Sequence, residues 1–229
     1  MEDFDWMQLL NPEFYILLEF EGIKLGLIVI LFIVFAETGL LAGFFLPGDS
    51  LLFLAGIYSE SLMQQISLGN DFLNVTLLAL LVAFMGIIGN MVGYWFGSKS
   101  GTYLFNRKDN FLYKKKYLYD AKAFFDKYGN KAIIFARFIP VVRTFTPMIA
   151  GIVSMDKKSF MFYNMLGSFL WSFSMIFAGH YLHQLFLEKF HIDLKHYIEY
   201  IVIFIVLVTT LPLIMKLIRK EKVSKENEI

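Results

Sequence analysis

Apolar residues gather into five blocks, over about 25–58, 72–97, 132–153, 160–182 and 198–217. Crossing a bilayer core takes about 20 apolar helical residues, so the second, fourth and fifth blocks each predict one spanning helix. The first block is too long for one span, and it contains Glu37, Pro47, Gly48 and Asp49. Proline removes a backbone donor and stops a helix. This block therefore predicts a span over about 25–41, then a hairpin over about 42–59 bent at Pro47 and Gly48. The third block predicts a second hairpin over about 132–153, with Pro140 and Pro147 as its helix-breaking residues. Residues 1–22 mix Phe4, Trp6, Phe14 and Leu17 with six carboxylates, the pattern of an amphipathic segment lying in the interface. They lack the basic start of a cleavable signal and are expected to stay in the mature chain. The predicted parts are thus that segment, a membrane core over 23–183, and a final span with a basic tail over 184–229.

The polar connections set the orientation. Residues 59–71 contain no lysine or arginine, whereas 107–131 contain eight, interleaved with aromatic residues. Positive loops stay on the cytoplasmic side, and basic, aromatic segments lie on anionic lipid. If 132–153 crossed the membrane fully, Lys157, Lys158 and the basic tail would all fall outside. If it enters and returns, every basic cluster stays inside. The second hairpin is then re-entrant from the cytoplasm, the first from the opposite face, and both termini are cytoplasmic. The two hairpins also resemble each other: Phe45-Leu46-Pro47 is echoed by Phe138-Ile139-Pro140, and Leu54-Ala55-Gly56-Ile57-Tyr58-Ser59 by Ile149-Ala150-Gly151-Ile152-Val153-Ser154. The expected fold is an all-α, multi-pass membrane protein with two facing re-entrant helical hairpins in an inverted-topology repeat. Transporters place substrate sites where such broken segments meet.

Composition agrees: 57% of the 229 residues are hydrophobic and mean hydropathy is +0.58, too apolar for an ordinary soluble domain. A net charge of +1 gives no concentrated basic face for nucleic acid. With no cysteine, thiolate chemistry and disulfides are excluded. Within the second block, Gly86, Gly89, Gly93, Gly97 and Gly101 share one helical face and predict close helix packing. Asn90 and Tyr94 flank that face as candidate hydrogen-bonding partners.

Four charged residues fall at bilayer depth: Glu37, Asp49, Arg137 and Arg143. Such charges are costly there and usually mark a pathway; the alternative is a set of buried ion pairs that merely clamps the hairpins together. A guanidinium stays charged and offers forked donors that match phosphate oxygens, whereas a carboxylate in apolar surroundings can bind and release a proton. Arg137 and Arg143 are therefore the candidate anion-binding pair, with Glu37 and Asp49 as candidate proton carriers. Helix ends at Pro47-Gly48 and near Pro140 would add backbone groups. His180, His183, His191 and His196 form no metal-binding motif, and no hydrolase motif or serine, histidine and acid set stands out in the sequence. No enzyme activity, metal or cofactor is expected.

Three blocks carry a resemblance to the bacterial DedA family. They are Phe35-Ala36-Glu37-Thr38-Gly39 through Phe45-Leu46-Pro47-Gly48-Asp49-Ser50-Leu51-Leu52; Gly89-Asn90 with Gly93-Tyr94 and Gly97; and Arg137-Phe138-Ile139-Pro140-Val141-Val142-Arg143-Thr144 with Pro147 and Ala150-Gly151. Asn164, Gly167 and Trp171 extend it, so that it covers about 31–179. The resemblance implies facing re-entrant hairpins and dependence on membrane-embedded acids and arginines, which map onto Glu37, Asp49, Arg137 and Arg143. It also implies proton-dependent return of undecaprenyl phosphate or another phospholipid across the cytoplasmic membrane. The expected partners are a lipid phosphate head group and protons, with a homodimer as an option. The alternatives are a proton-coupled exchanger of small ions or drug cations, and a passive phospholipid scramblase.

Overall fold

The structure is a computed structural model that describes residues 12–20, 22–40, 48–106, 123, 125, 127–129, 131–205 and 207. The bend at Pro47, most of the basic 107–131 connection and most of the final span and tail lie outside the described residues. A short helix, α1 (Pro12–Ile16), leads into a two-stranded antiparallel ribbon, β1 (Glu19–Phe20) and β2 (Ile23–Lys24). Gly22 turns that ribbon at a φ of +79°, a left-handed conformation that glycine adopts without a Cβ penalty. The ribbon is the single departure from helix among the described elements.

The helices follow in order: α2 (Gly26–Gly39), α3 (Gly48–Ile57), α4 (Ser59–Met63), α5 (Asp71–Asn106), α6 (Ala132–Ala136), α7 (Pro140–Ile152) and α8 (Lys157–Phe190). Of these, α5 and α8 are long and apolar enough to cross a membrane. At about 1.5 Å per residue both exceed the roughly 30 Å of a bilayer core. The α5 helix is central: α2, α7 and α8 pack along it, and α3 lies along α8. The core is Val34, Leu52, Leu54, Met63, Leu78, Val82 and Ile176, all closed to solvent.

The predicted glycine face is real, but its members meet different neighbours. A Cβ on Gly97 would strike the Met148 carbonyl and one on Gly101 would sit 2.7 Å from the Ile152 carbonyl, so the lower half packs on α7. Gly89 faces α2, where a Cβ on Gly39 would lie 2.9 Å from the Gly89 carbonyl.

Three boundaries differ from the sequence reading. The α8 helix runs to Phe190 and so includes His183, which the polarity of its surroundings places in a connection; His191, at φ +55°, closes the helix instead. A helix projecting past the bilayer tolerates polar side chains, so hydropathy ends before the helix does. Asp156 does not close the preceding block: it caps α8, accepting from the Ser159 N–H at 2.8 Å. Pro147 does not break α7. The chain breaks at Arg137–Ile139, and Pro140 stands at the first turn of α7, where its missing N–H has no helical partner to lose.

The echoed hexapeptides end their helices at matching positions. Ile57 is the last residue of α3 and Ile152 the last of α7. Each preceding glycine presses onto another helix's backbone, Gly56 onto Ile176 of α8 and Gly151 onto Tyr94 of α5.

Candidate functional site

Each of the four charges is brought to the interior by a different backbone feature. Glu37 lies in the last turn of α2, Asp49 in the first turn of α3, Arg137 in the break before α7, and Arg143 in the first turns of α7. All are buried, with relative exposures of 1% for Glu37, 7% for Asp49, 3% for Arg137 and 6% for Arg143. Arg143 joins the two acids: its Nη1 donates to Asp49 Oδ1 and its Nη2 to Glu37 Oε1. One guanidinium thus spans two carboxylates from two helices.

Trp171 of α8 is the fifth member. Its indole N–H donates to Asp49 Oδ1 at 2.8 Å. Both guanidinium carbons lie over its ring, Arg143 at 5.0 Å and Arg137 at 5.1 Å from the ring centroid. Desolvated cation–π contacts of this kind are worth about 2 kcal/mol each, which offsets part of the cost of bringing two like charges near each other.

Arg137 is held differently from Arg143. Its Nη1 donates to Asn164 Oδ1 at 3.2 Å, and no carboxylate pairs with it among the described residues. The Asn164 oxygen also accepts from Asn90 Nδ2 at 2.6 Å, while its amide donates to the Ile87 carbonyl at 3.2 Å. Two Arg137 donors, Nε and Nη2, are buried without a hydrogen-bond partner among the described residues, as are Arg143 Nε and Glu37 Oε2. Leaving such groups unpaired is expensive in a low-dielectric interior, and more so when they are charged.

Two glycines make room for these groups. A Cβ on Gly86 would lie 2.5 Å from Arg137 Nη2, and one on Gly48 would fall onto the Glu37 carboxylate. Gly48, expected only to bend the hairpin, thus also clears the space that Glu37 fills.

The structure therefore brings together Glu37, Asp49, Arg137 and Arg143 and places Asn90 behind Arg137. Tyr94 sits elsewhere: its hydroxyl donates to the Met155 carbonyl at 2.6 Å and its ring stacks on Phe160 at 4.5 Å. Sequence reasoning gave no site role to Trp171 or Asn164. The signal was present in α8, where Asn164, Ser168, Trp171 and Ser172 recur at helical spacing and are all fully buried.

Comparison with known proteins comes from sequence. The VTT domain matches residues 46–181. The chain is 34% identical over 196 residues to protein DedA of Escherichia coli, covering 86% of this chain and 84% of that protein. It is 40% identical over 153 residues to the membrane protein Rv0364 of Mycobacterium tuberculosis, covering 67% and 64% of the two chains. It is 34% identical over 174 residues to the inner membrane protein YghB of E. coli, covering 72% and 73%. No solved structure matches the chain.

Proposed function

Since the chain belongs to the VTT-domain family of DedA-like membrane proteins, we propose that it is a proton-coupled flippase for a lipid phosphate, undecaprenyl phosphate foremost, in the bacterial cytoplasmic membrane. In this reading 42–59 and 132–153 are re-entrant hairpins that enter from opposite faces, with both termini cytoplasmic. Support comes from the matched helix ends at Ile57 and Ile152, and from Asp49 and Arg143 meeting from the first turns of the two second arms.

The observation that carries the proposal is the difference between the two arginines. Arg143 is occupied by two carboxylates, while Arg137 holds two buried donors with no partner among the described residues. A buried cation with open donors is a place for an anion, and a phosphate oxygen accepts from a forked guanidinium better than from any other side chain. Proton uptake by Glu37 or Asp49 would remove one negative charge from Arg143 and free its N–H groups to join Arg137 on the phosphate. Loss of the proton would return Arg143 to the acids and release the head group. That sequence links proton movement to head-group movement without a second site.

The exchanger reading needs Glu37 and Asp49 open to a cation, yet both are engaged by Arg143, which weighs against it. Translocation of a labelled lipid phosphate in reconstituted vesicles tests the proposal. Arg137→Gln is expected to abolish head-group translocation and Arg137→Lys to restore a fraction of it. Undiminished translocation in Arg137→Gln would remove the assignment.

A further inference from the structure

A second set of polar residues meets at the other end of α3. His180 of α8 is 5% exposed. Its Nδ1 lies 2.8 Å from Ser59 Oγ, the first residue of α4, and its Nε2 lies 2.9 Å from Asp71 Oδ2, the first residue of α5. Gln184, one turn on, donates to the same Asp71 oxygen at 3.1 Å. The starts of α4 and α5 are thus tied to the distant α8 through one imidazole. Ser59 is closed to solvent, whereas the Asp71 side chain is 54% exposed. The row is a serine, histidine and acid set that sequence reading missed because its members lie 12 and 109 residues apart. Its order is unsuited to nucleophilic chemistry, since the serine has no access to a substrate.

We propose that Ser59, His180 and Asp71 form a proton-binding site that fastens the far end of α3, and that its occupancy sets how firmly that end is held. A carboxylate can only accept, so in neutral His180 the proton sits on Nε2 facing Asp71, and Nδ1 accepts from the Ser59 hydroxyl. When the ring takes a second proton, Nδ1 donates to Ser59 Oγ, and the hydroxyl proton turns to a carbonyl of the preceding helical turn. No polar atom is stranded in either state. The bond to Asp71 becomes an ion pair, which is shorter and stronger than the neutral bond. Asp71 carries the exposed side of the site.

Other titratable groups stand nearby, and the buried His183 Nδ1 has no hydrogen-bond partner among the described residues. From α8, His183 Nδ1 faces Asp193 at 3.8 Å, and Tyr181 meets the His180 ring edge-on. From the segment after α8, Lys195 lies over the Tyr58 ring at 5.2 Å. From α3 the backbone comes close: a Cβ on Gly56 would lie 2.9 Å from the His180 nitrogen, and one on Gly179 would strike the Phe53 carbonyl. The tight seam between α3 and α8 therefore ends at His180. Asp49 stands at the other end of α3, about 11 Å from Gly56 at the rise of a helix. The inference deepens the proposed proton coupling by naming a second protonation site, but its test needs no substrate.

The test is a histidine-selective NMR titration of the full chain in lipid nanodiscs, with the His180 signal assigned by its loss in His180→Gln. The expected result is that the His180 signal changes with pH and that Asp71→Asn, which removes the carboxylate 2.9 Å from Nε2, displaces that response. Amide protection over 50–57, with the intrinsic pH dependence of exchange divided out, is expected to rise several-fold on acidification in the wild type and to stay constant in both Asp71→Asn and His180→Gln. A His180 signal that does not move with pH, or a response indifferent to Asp71→Asn, would overturn the inference while leaving the flippase reading standing. Undiminished translocation in Arg137→Gln, with the His180 signal still responding to pH and to Asp71→Asn, would overturn the flippase reading and support this inference on its own.

Discussion

Trp171 and Arg143 meet at one atom: the indole N–H and the guanidinium both donate to Asp49 Oδ1. The tryptophan therefore fixes the carboxylate from α8 while the arginine pulls on it from α7. Trp171→Phe keeps a ring beneath the two cations and deletes only the donor. It is expected to destabilise the protein by about 1–3 kcal/mol, the cost of a lost bond to a buried charged group, and to slow translocation. Thermal unfolding in detergent and the vesicle assay together check this. Retention of full stability would mean that the indole bond is dispensable.

The pairing of Arg143 makes an asymmetric prediction. Arg143→Ala takes the cation from two buried carboxylates and leaves Asp49 the Trp171 N–H, and removing one partner of a buried pair costs about 3–5 kcal/mol. Glu37→Gln keeps the shape and leaves Arg143 its bond to Asp49, as protonation of Glu37 would. Its expected effect is small on stability and large on coupling: translocation should lose its dependence on an imposed pH gradient. The gradient dependence of lipid-phosphate movement in vesicles is the measurement, and an unchanged dependence in Glu37→Gln would shift the coupling role to Asp49 alone.

How much of this was legible in sequence follows from where each cost lies. A charge in an apolar block is conspicuous because hydrocarbon cannot solvate it, so Glu37, Asp49, Arg137 and Arg143 stood out one by one. Their division was not legible. Which arginine takes both acids depends on α7 placing Arg143 opposite the first turn of α3, a tertiary fact that no spacing encodes. Trp171 and Asn164 were hidden for the opposite reason, since an aromatic ring and a single amide cost little in a long apolar helix. The ends of α8 were misplaced because hydropathy follows the lipid, whereas the helix follows its caps at Asp156 and His191.

Gly86 and Gly69 provide a contrast between space and conformation. A Cβ on Gly86 meets Arg137 Nη2 at 2.5 Å, so Gly86→Ala is expected to displace that guanidinium, leaving a folded protein that has lost lipid-phosphate binding. Gly69 has open space around it but a φ of +73°; Gly69→Ala is expected to cost about 1 kcal/mol in backbone strain and leave binding untouched. Binding of a lipid phosphate, followed by ligand-induced thermal shift, separates the two. Equal binding by both variants would show that Arg137 can yield without loss.

Asp156 supplies a pH dependence with a defined sign. Its carboxylate accepts from the backbone N–H of Ser159, with a further contribution from Lys158, and these hold its pKa below the usual aspartate range. A folded-state pKa below the unfolded one means that the cap's stabilisation is complete above the unfolded value, near 4, and fades as pH falls through the lower folded value. The wild type should therefore lose more thermal stability than Asp156→Ala as pH falls below about 4, and the two curves should converge at the acid end. Tm measured against pH for both proteins in the same detergent reads the difference directly. Parallel curves would mean that the start of α8 is held by its packing on α5 rather than by its cap.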